Sequence, residues 1–351
     1  MNPLVSQSID LLQELIAIPS FSRQESKTAT VIGDYLSANG IAAKRHLNNI
    51  WATNKHFDES KPTILLNSHH DTVQPSSAYA RDPFEPHSVN GKLYGLGSND
   101  AGGALTALIA TFLHFYEQKN LNYNLLLAIT AEEEISGDNG IASLLKKLPA
   151  INFGIVGEPT QMQMAVAEKG LMVLDCLTRG KSGHSARNEG KNAIYIAAGD
   201  IGWIQSYKFE KESKFLGSIK MTPAIIKGGS KHNMVPDRCS FTVDVRTTNA
   251  YTNEETLAII KTHLISEVTP RSTRLQPSFI AEDHPIVRAG KSVGLQTFGS
   301  PTLSDQALLP VPSIKIGPGK SSRSHTADEF IYLDEIAKGI DAYITLLIQI
   351  L

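Results

Sequence analysis

Apolar residues recur at helical spacing over roughly residues 3 to 17 and 24 to 39, and the unbroken apolar run "TILLNS" that follows at Thr63 reads as a buried strand. A second helical pattern covers "GGALTALIATFLHFYEQ", after which "NLLLAIT" and "FGIVG" read as strands around a short helix near "IASLLKKL". Strands separated by helices predict an α/β fold, a mostly parallel sheet with helices on both faces. In such sheets binding groups gather at the carboxyl ends of the strands.

From about residue 169 the texture changes. "LMVLDCLTRG" reads as a strand, "NAIYIAAGDIGWIQSY" as a helix, "GSIKMTPAIIKGG" and "CSFTVDVRTT" as alternating strands, "NEETLAIIKTHLISEV" as a helix and "RLQPSFIAE" as a strand. That β, α, β, β, α, β order is the order of a ferredoxin-like α+β unit. After about residue 280 the earlier pattern returns with a helix in "IVRAGKSVGLQ", a strand in "SIKIG" and a closing helix over roughly 333 to 350. The expectation is one α/β domain built from residues 1–168 and 280–351, interrupted by an inserted domain over 169–279.

A chain of 351 residues exceeds what one hydrophobic core usually organises, which agrees with two domains. With 33 basic against 35 acidic side chains and no like-charge block, neither a nucleic acid nor an anionic membrane is expected as partner, and a small molecule is. The amino-terminal residues read as an amphipathic helix rather than a signal, and no apolar stretch approaches the roughly 20 residues that span a bilayer. Cytoplasmic location is the expectation. Cys176 and Cys239, the two cysteines, sit in strand-like runs, which excludes a disulfide framework and leaves a single bridge open.

Polar clusters fall where the strands end. His69, His70 and Asp71 close "TILLNS", Glu132, Glu133 and Glu134 follow "NLLLAIT", Glu158 follows "FGIVG", and His325 follows "SIKIGPG" in "SSRSHTADEF". Asp100 lies in "YGLGSNDAGGALTAL", a glycine-rich turn into a helix that lacks the lysine of a P-loop. Each cluster alone has an ordinary structural explanation, such as acidic groups favouring a helix start. Five at one sheet edge point to a shared ligand, because so many carboxylates are buried together only where positive charge neutralises them. Histidine and carboxylate donors without cysteine fit zinc, with cobalt or manganese as substitutes. Two histidines and at least three carboxylates exceed the needs of one catalytic zinc and suit a pair of metals about 3.5–4 Å apart.

In order and separation, "SHHDTV", "GLGSNDAGG", "TAEEEISGD", "VGEPT", "SGHSA", "HNMVPDRCSFTVDVR" and "SHTADEF" resemble the acetylornithine deacetylase and succinyl-diaminopimelate desuccinylase family of di-zinc metallohydrolases, from about residue 8 to 345. The resemblance implies a catalytic α/β domain with an inserted ferredoxin-like lid that also makes a homodimer. It implies that His69 is a metal ligand whose ring N–H is accepted by Asp71, with His70 packed or solvated between them. Asp100 would bridge two zinc ions, with a cis peptide before Ala101; Glu158 and His69 would complete one site, Glu134 and His325 the other. Glu133 becomes the general base, and Glu132 stays outside, the flanks of "TAEEEI" choosing this register.

The resemblance further implies that His184 donates to the oxyanion of the tetrahedral intermediate, reaching the site from the partner subunit in dimeric members. Asn233 would bond substrate, Arg246 would clamp a substrate carboxylate, and Gly317 with Gly319 would let backbone approach the ligand. Lys320 and Arg323 either meet an anionic acyl tail or are solvated. The favoured reaction is hydrolysis of N-acetyl-L-ornithine to L-ornithine and acetate in arginine biosynthesis. Competing substrates are N-succinyl ornithine or citrulline, N-acetyl-lysine, succinyl-diaminopimelate and di- or tripeptides. An inactive metal-binding scaffold would lack the base or a ligand, and none is missing.

Overall fold

The computed structural model describes residues 3–351, which divide into two compact units. The first holds the chain up to Val166 together with Phe279–Phe298 and Ser304–Leu351; the second holds Ala167–Ser278 and takes with it Gly299–Leu303, a segment that the sequence pattern leaves with the carboxy-terminal part.

The first unit is the α/β architecture that the alternation of strands and helices predicts. Its sheet runs in the order Lys44–His46, Asn49–Thr53, Asn124–Thr130, Thr63–His69, Phe153–Val156 and Ser313–Lys315. The last four are mutually parallel, the Lys44–Thr53 hairpin joins antiparallel on one side, and Met164–Glu168 pairs antiparallel with Ser313–Lys315 on the other. Every residue of Thr63–His69 and Asn124–Thr130 is buried, the signature of strands covered on both faces, and this is why they read as unbroken apolar runs. Helix Gly103–Phe115 is buried nearly all round, so it lacks a polar stripe and packs between the sheet and helices Pro3–Ile16 and Leu333–Ile348. In Leu333–Ile348 the buried positions Ile336, Ile340, Tyr343 and Leu347 repeat at helical spacing along one face. The helix near "IASLLKKL" amounts to Ile141–Leu144 only. Among the described residues no helix is long and apolar enough to cross a membrane.

The second unit has a four-stranded antiparallel sheet in the order Lys220–Gly228, Arg238–Thr247, Gly170–Arg179, Glu267–Pro270, with helices Ala193–Ser206 and Asn253–His263. Met172, Leu174 and Cys176 alternate inward on one strand and Cys239, Phe241, Val243 and Val245 on its neighbour, packing against Ala193, Ala197, Ile204 and Ile260 of the helices. Cys176 and Cys239 are both buried and free, so no bridge forms.

One predicted element moves. The fourth strand is Glu267–Pro270, starting in the last two residues of the stretch that reads as a helix, whereas "RLQPSFIAE" is mostly irregular. A capping box starts the helix correctly: Glu255 N–H donates to Thr252 Oγ1 at 3.1 Å, and Thr252 N–H donates back to the Glu255 carboxylate at 2.8 Å. What ends it early is Asp200, buried on the other helix, which accepts the N–H groups of Ile265 at 3.0 Å and Ser266 at 2.9 Å and the Ser266 hydroxyl at 2.5 Å. Asp200→Ala removes the acceptor of the Ile265 and Ser266 N–H groups, while the Ser266 hydroxyl keeps Thr178 Oγ1 at 2.7 Å, and we expect a loss of about 1–3 kcal/mol on urea unfolding followed by circular dichroism. A variant as stable as the parent would mean that Asp200 does not hold this turn.

Candidate metal centre

Because the four central strands of the first unit point the same way, the segments leaving their carboxyl ends converge. Thr63–His69 delivers His69 and Asp71, Asn124–Thr130 delivers Glu132 to Glu134, Phe153–Val156 delivers Glu158, and Ser313–Lys315 leads to the loop carrying His325. Asp100 arrives on the Ser98–Gly102 turn, which begins after Gly97 in the left-handed region at φ 77° and contains a cis Asp100–Ala101 peptide.

The buried His69 has Nε2 at 3.4 Å from Asp100 Oδ1, 3.7 Å from Glu158 Oε1 and 3.8 Å from Glu133 Oε2. That nitrogen has no hydrogen-bond partner among the described residues, although it is fully shielded from solvent. The other Asp100 oxygen, Oδ2, faces His325 Nε2 at 3.8 Å, and His325 Nε2 in turn lies 3.0 and 3.2 Å from the two Glu134 oxygens. The two oxygens of Asp100 therefore address two different histidines. Donor atoms of His69, Asp100 and Glu134 all lie within 4.8 Å of one another, as do those of His69, Glu133 and Glu158.

The electrostatics describe a cluster short of positive charge. Burial pushes the carboxyls of Glu133 and Glu158 well above the usual range, reinforced at Glu158 by Asp100 and at Glu133 by Glu158. Burial opposes protonation of His69, yet Glu133, Asp100, Asp71 and Glu158 together lift it well above an ordinary histidine. The bond from Glu134 raises His325 to about 9. An unpartnered imidazole nitrogen ringed by buried carboxylates fits one or two divalent cations by donor type and by charge.

Asp71 departs from its expected contact. The His69 ring nitrogen Nδ1 lies 3.0 Å from the backbone carbonyl of Asp71, while the Asp71 carboxylate stands off at 3.4 Å. Its carboxylate instead accepts the N–H groups of Glu133 at 3.0 Å and Glu134 at 3.1 Å and the Ser22 hydroxyl at 2.7 Å. Thus Asp71 orients His69 through its main chain and the two glutamates through its side chain. His70 is packed, with Nδ1 at 2.8 Å from Thr28 Oγ1 and Nε2 at 2.9 Å from the Asn48 carbonyl, and burial lowers it to about 4, so the ring is neutral. Glu132 turns away from the cluster to the Asn139 side chain at 2.9 Å.

Two acids near the cluster have no place in the sequence reading. Asp305 accepts the Thr130 hydroxyl at 2.7 Å, and burial raises it to about 6. Glu329 is buried beside the Asp100 turn; burial, then Asp100, raises it to about 8. The available signal was an acid within the "SHTADEF" and "LSDQALLP" stretches, too weak to act on without its partners.

Other predicted residues have different surroundings from those expected or lie in the second unit. Gly317 is buried, and a Cβ there would stand 2.6 Å from the Glu158 carbonyl and 2.9 Å from the Ala104 side chain, so this glycine admits the protein's own backbone rather than a ligand. In the second unit His184 lies on a two-residue strand paired with Met234–Val235, its Nδ1 accepting Ala186 N–H at 3.2 Å, and the carbonyl of the nearby Asn233 accepts Ser185 N–H at 3.2 Å. Arg246 is engaged by Asp244 through two bonds of 2.8 and 3.0 Å. In the first unit Arg323 is likewise occupied, paired with Glu335 at 2.6 and 3.1 Å, whereas the Lys320 side chain is exposed.

Residues 65–349 match the model of peptidase family M20/M25/M40, and the chain belongs to that family. It is a metal-dependent hydrolase of amide bonds. Among curated proteins it is similar to acetylornithine deacetylase of Proteus mirabilis (strain HI4320), 27% identical over 94% of this chain and 93% of that protein. Among solved structures it is similar to aminopeptidase PepT of Bacillus cereus ATCC 10987, with a TM-score of 0.77 at 18% identity over 99% of this chain and 98% of that one. It is also similar to the YXEP protein of Bacillus subtilis, described as a dinuclear metal-binding M20 peptidase, with a TM-score of 0.73 at 15% identity over 99% of this chain and 98% of that one.

Proposed function

We propose that the protein removes the acetyl group from N-acetyl-L-ornithine, giving L-ornithine and acetate, at a centre of two divalent metal ions with zinc as the native ion. The observation that carries the metal reading is the buried, unpartnered Nε2 of His69 facing Asp100, Glu158 and Glu133. His69, Asp100 and Glu158 would hold one ion, and Glu134 and His325, with Asp100 shared, the other. The B. subtilis relative described as dinuclear supports the count. When bound, the pair supplies Lewis acidity that activates a water and polarises the scissile carbonyl.

The chain's own groups do the rest. Glu133 accepts the proton of the attacking water and returns it to the nitrogen of the departing amine, so one carboxylate serves as base and then as acid. Asp71 holds Glu133 and Glu134 in place through their N–H groups. His184, reaching from the second copy of a homodimer, would supply a donor for the oxyanion, Asn233 would bond the substrate, and Arg246 would pair with its carboxylate after exchanging Asp244 for it. We assign the second unit to homodimer formation and the protein to the cytoplasm, with no nucleic-acid or membrane partner.

Full-length similarity to an acetylornithine deacetylase supports the substrate, and the peptidase relatives name the competing class. The test is a hydrolysis screen of N-acetyl and N-succinyl ornithine, N-acetyl citrulline, N-acetyl lysine, succinyl-diaminopimelate and tripeptides with zinc or cobalt added. The expected result is the highest kcat/KM on N-acetyl-L-ornithine; a clear preference for any other compound overturns the assignment.

A further inference from the structure

The Gly97–Asp100 turn is held by a single side chain from a distant part of the sequence. Glu329 Oε1 accepts the N–H of Asn99 at 2.8 Å and of Asp100 at 2.9 Å, and Oε2 accepts the N–H of Gly97 at 3.3 Å. Its backbone carbonyl takes a fourth donor from just before the turn, Gly95 N–H, at 3.0 Å. The Glu329 side chain is buried, so it has no water to compensate for these bonds. Strand Phe330–Tyr332, which follows directly, pairs antiparallel with Lys92–Tyr94, and the Asn99 side chain brackets Lys320 by accepting its N–H at 2.9 Å and donating to its carbonyl at 3.2 Å. The chain around the turn therefore stays anchored if the carboxylate alone is removed.

We propose that Glu329 is a positioning residue for the metal centre: it fixes the backbone that presents Asp100 and, four residues after His325, makes one segment set the placement of both groups. This rests on the metal reading given above. Asp100 must aim one oxygen at each of two histidines, and a turn that loses three hydrogen bonds at once no longer holds that angle. Partners of this kind, which orient a ligand without touching the metal, change metal affinity by about 10- to 100-fold when removed.

The experiment compares wild type with Glu329→Ala and Glu329→Gln by zinc competition against a chromophoric chelator, alongside thermal unfolding of the metal-free forms. Glu329→Ala is expected to weaken the second zinc by about 10- to 100-fold, and, because it leaves the buried N–H groups of Gly97 and Asn99 unpaired, also to lower the metal-free unfolding midpoint, so the competition is run well below that midpoint. Glu329→Gln, which retains one acceptor oxygen for Asn99 and Asp100 but turns an amide N–H toward Gly97, is expected to fall between. Wild-type affinity for both ions in Glu329→Ala overturns the proposal, and so does wild-type affinity in Glu329→Gln if the alanine variant does not fold. A wild-type chain that takes up fewer than two zinc ions overturns the metal reading itself, a distinct failure visible before any variant is compared.

Discussion

Glu133→Ala is expected to lower kcat by about 10²- to 10⁴-fold, the usual contribution of a positioned general base, while metal content stays near two ions per chain. That loss corresponds to about 3–5 kcal/mol of barrier. The physical reason for separating the two readouts lies in the geometry. Glu133 and Glu134 are neighbours on one short turn, both pinned by Asp71, yet Glu134 bonds His325 at 3.0 Å while Glu133 approaches His69 no closer than 3.8 Å. Glu133 also lies within ligand range of His69 and Glu158, so the competing role is that of a ligand. Steady-state kinetics combined with elemental analysis of the dialysed variant distinguishes them. Loss of one ion together with activity would make Glu133 a ligand, and unchanged turnover would remove it from the chemistry.

Exhaustive chelation is expected to abolish hydrolysis and to lower the thermal unfolding midpoint, with both restored by zinc or cobalt. An ion that binds only the folded chain stabilises it by about 4 kcal/mol per site when free metal exceeds its dissociation constant a thousandfold. The drop on removal has a second source. Burial raises Glu133 and Glu158, and neighbouring carboxylates at each add to the shift, which means that their charges are costly where they sit without a cation. Calorimetry of the chelated and reloaded protein, with metal content measured on both samples, checks this. Full activity in a sample shown to be metal-free would end the metal-centre reading.

Much of the site was legible because of how parallel sheets write themselves into a chain. A strand covered on both faces is an unbroken apolar run, so the polar residues that end it are conspicuous, and His69, Glu133, Glu158 and His325 all follow such runs. Contacts made across long separations left no comparable trace. Asp71 looked like a partner for a ring two residues away, yet its side chain binds N–H groups at Glu133 and Glu134. For Arg246 the sequence allows a substrate carboxylate or a structural ion pair, and in the structure Asp244, two residues back on the same strand, occupies its fork.

The sequence by itself determined the alternation of the central strands and helices, the α/β class and the residues that crowd the carboxyl edge of the sheet, since apolar periodicity is a local property of the chain. Only the tertiary structure decided which oxygen meets which nitrogen. Asp100 is aimed by Glu329, and the helix of the second unit is stopped by Asp200 on another helix, because a hydrogen-bond partner is chosen by proximity in space and any of several acids in the chain has the chemistry to serve.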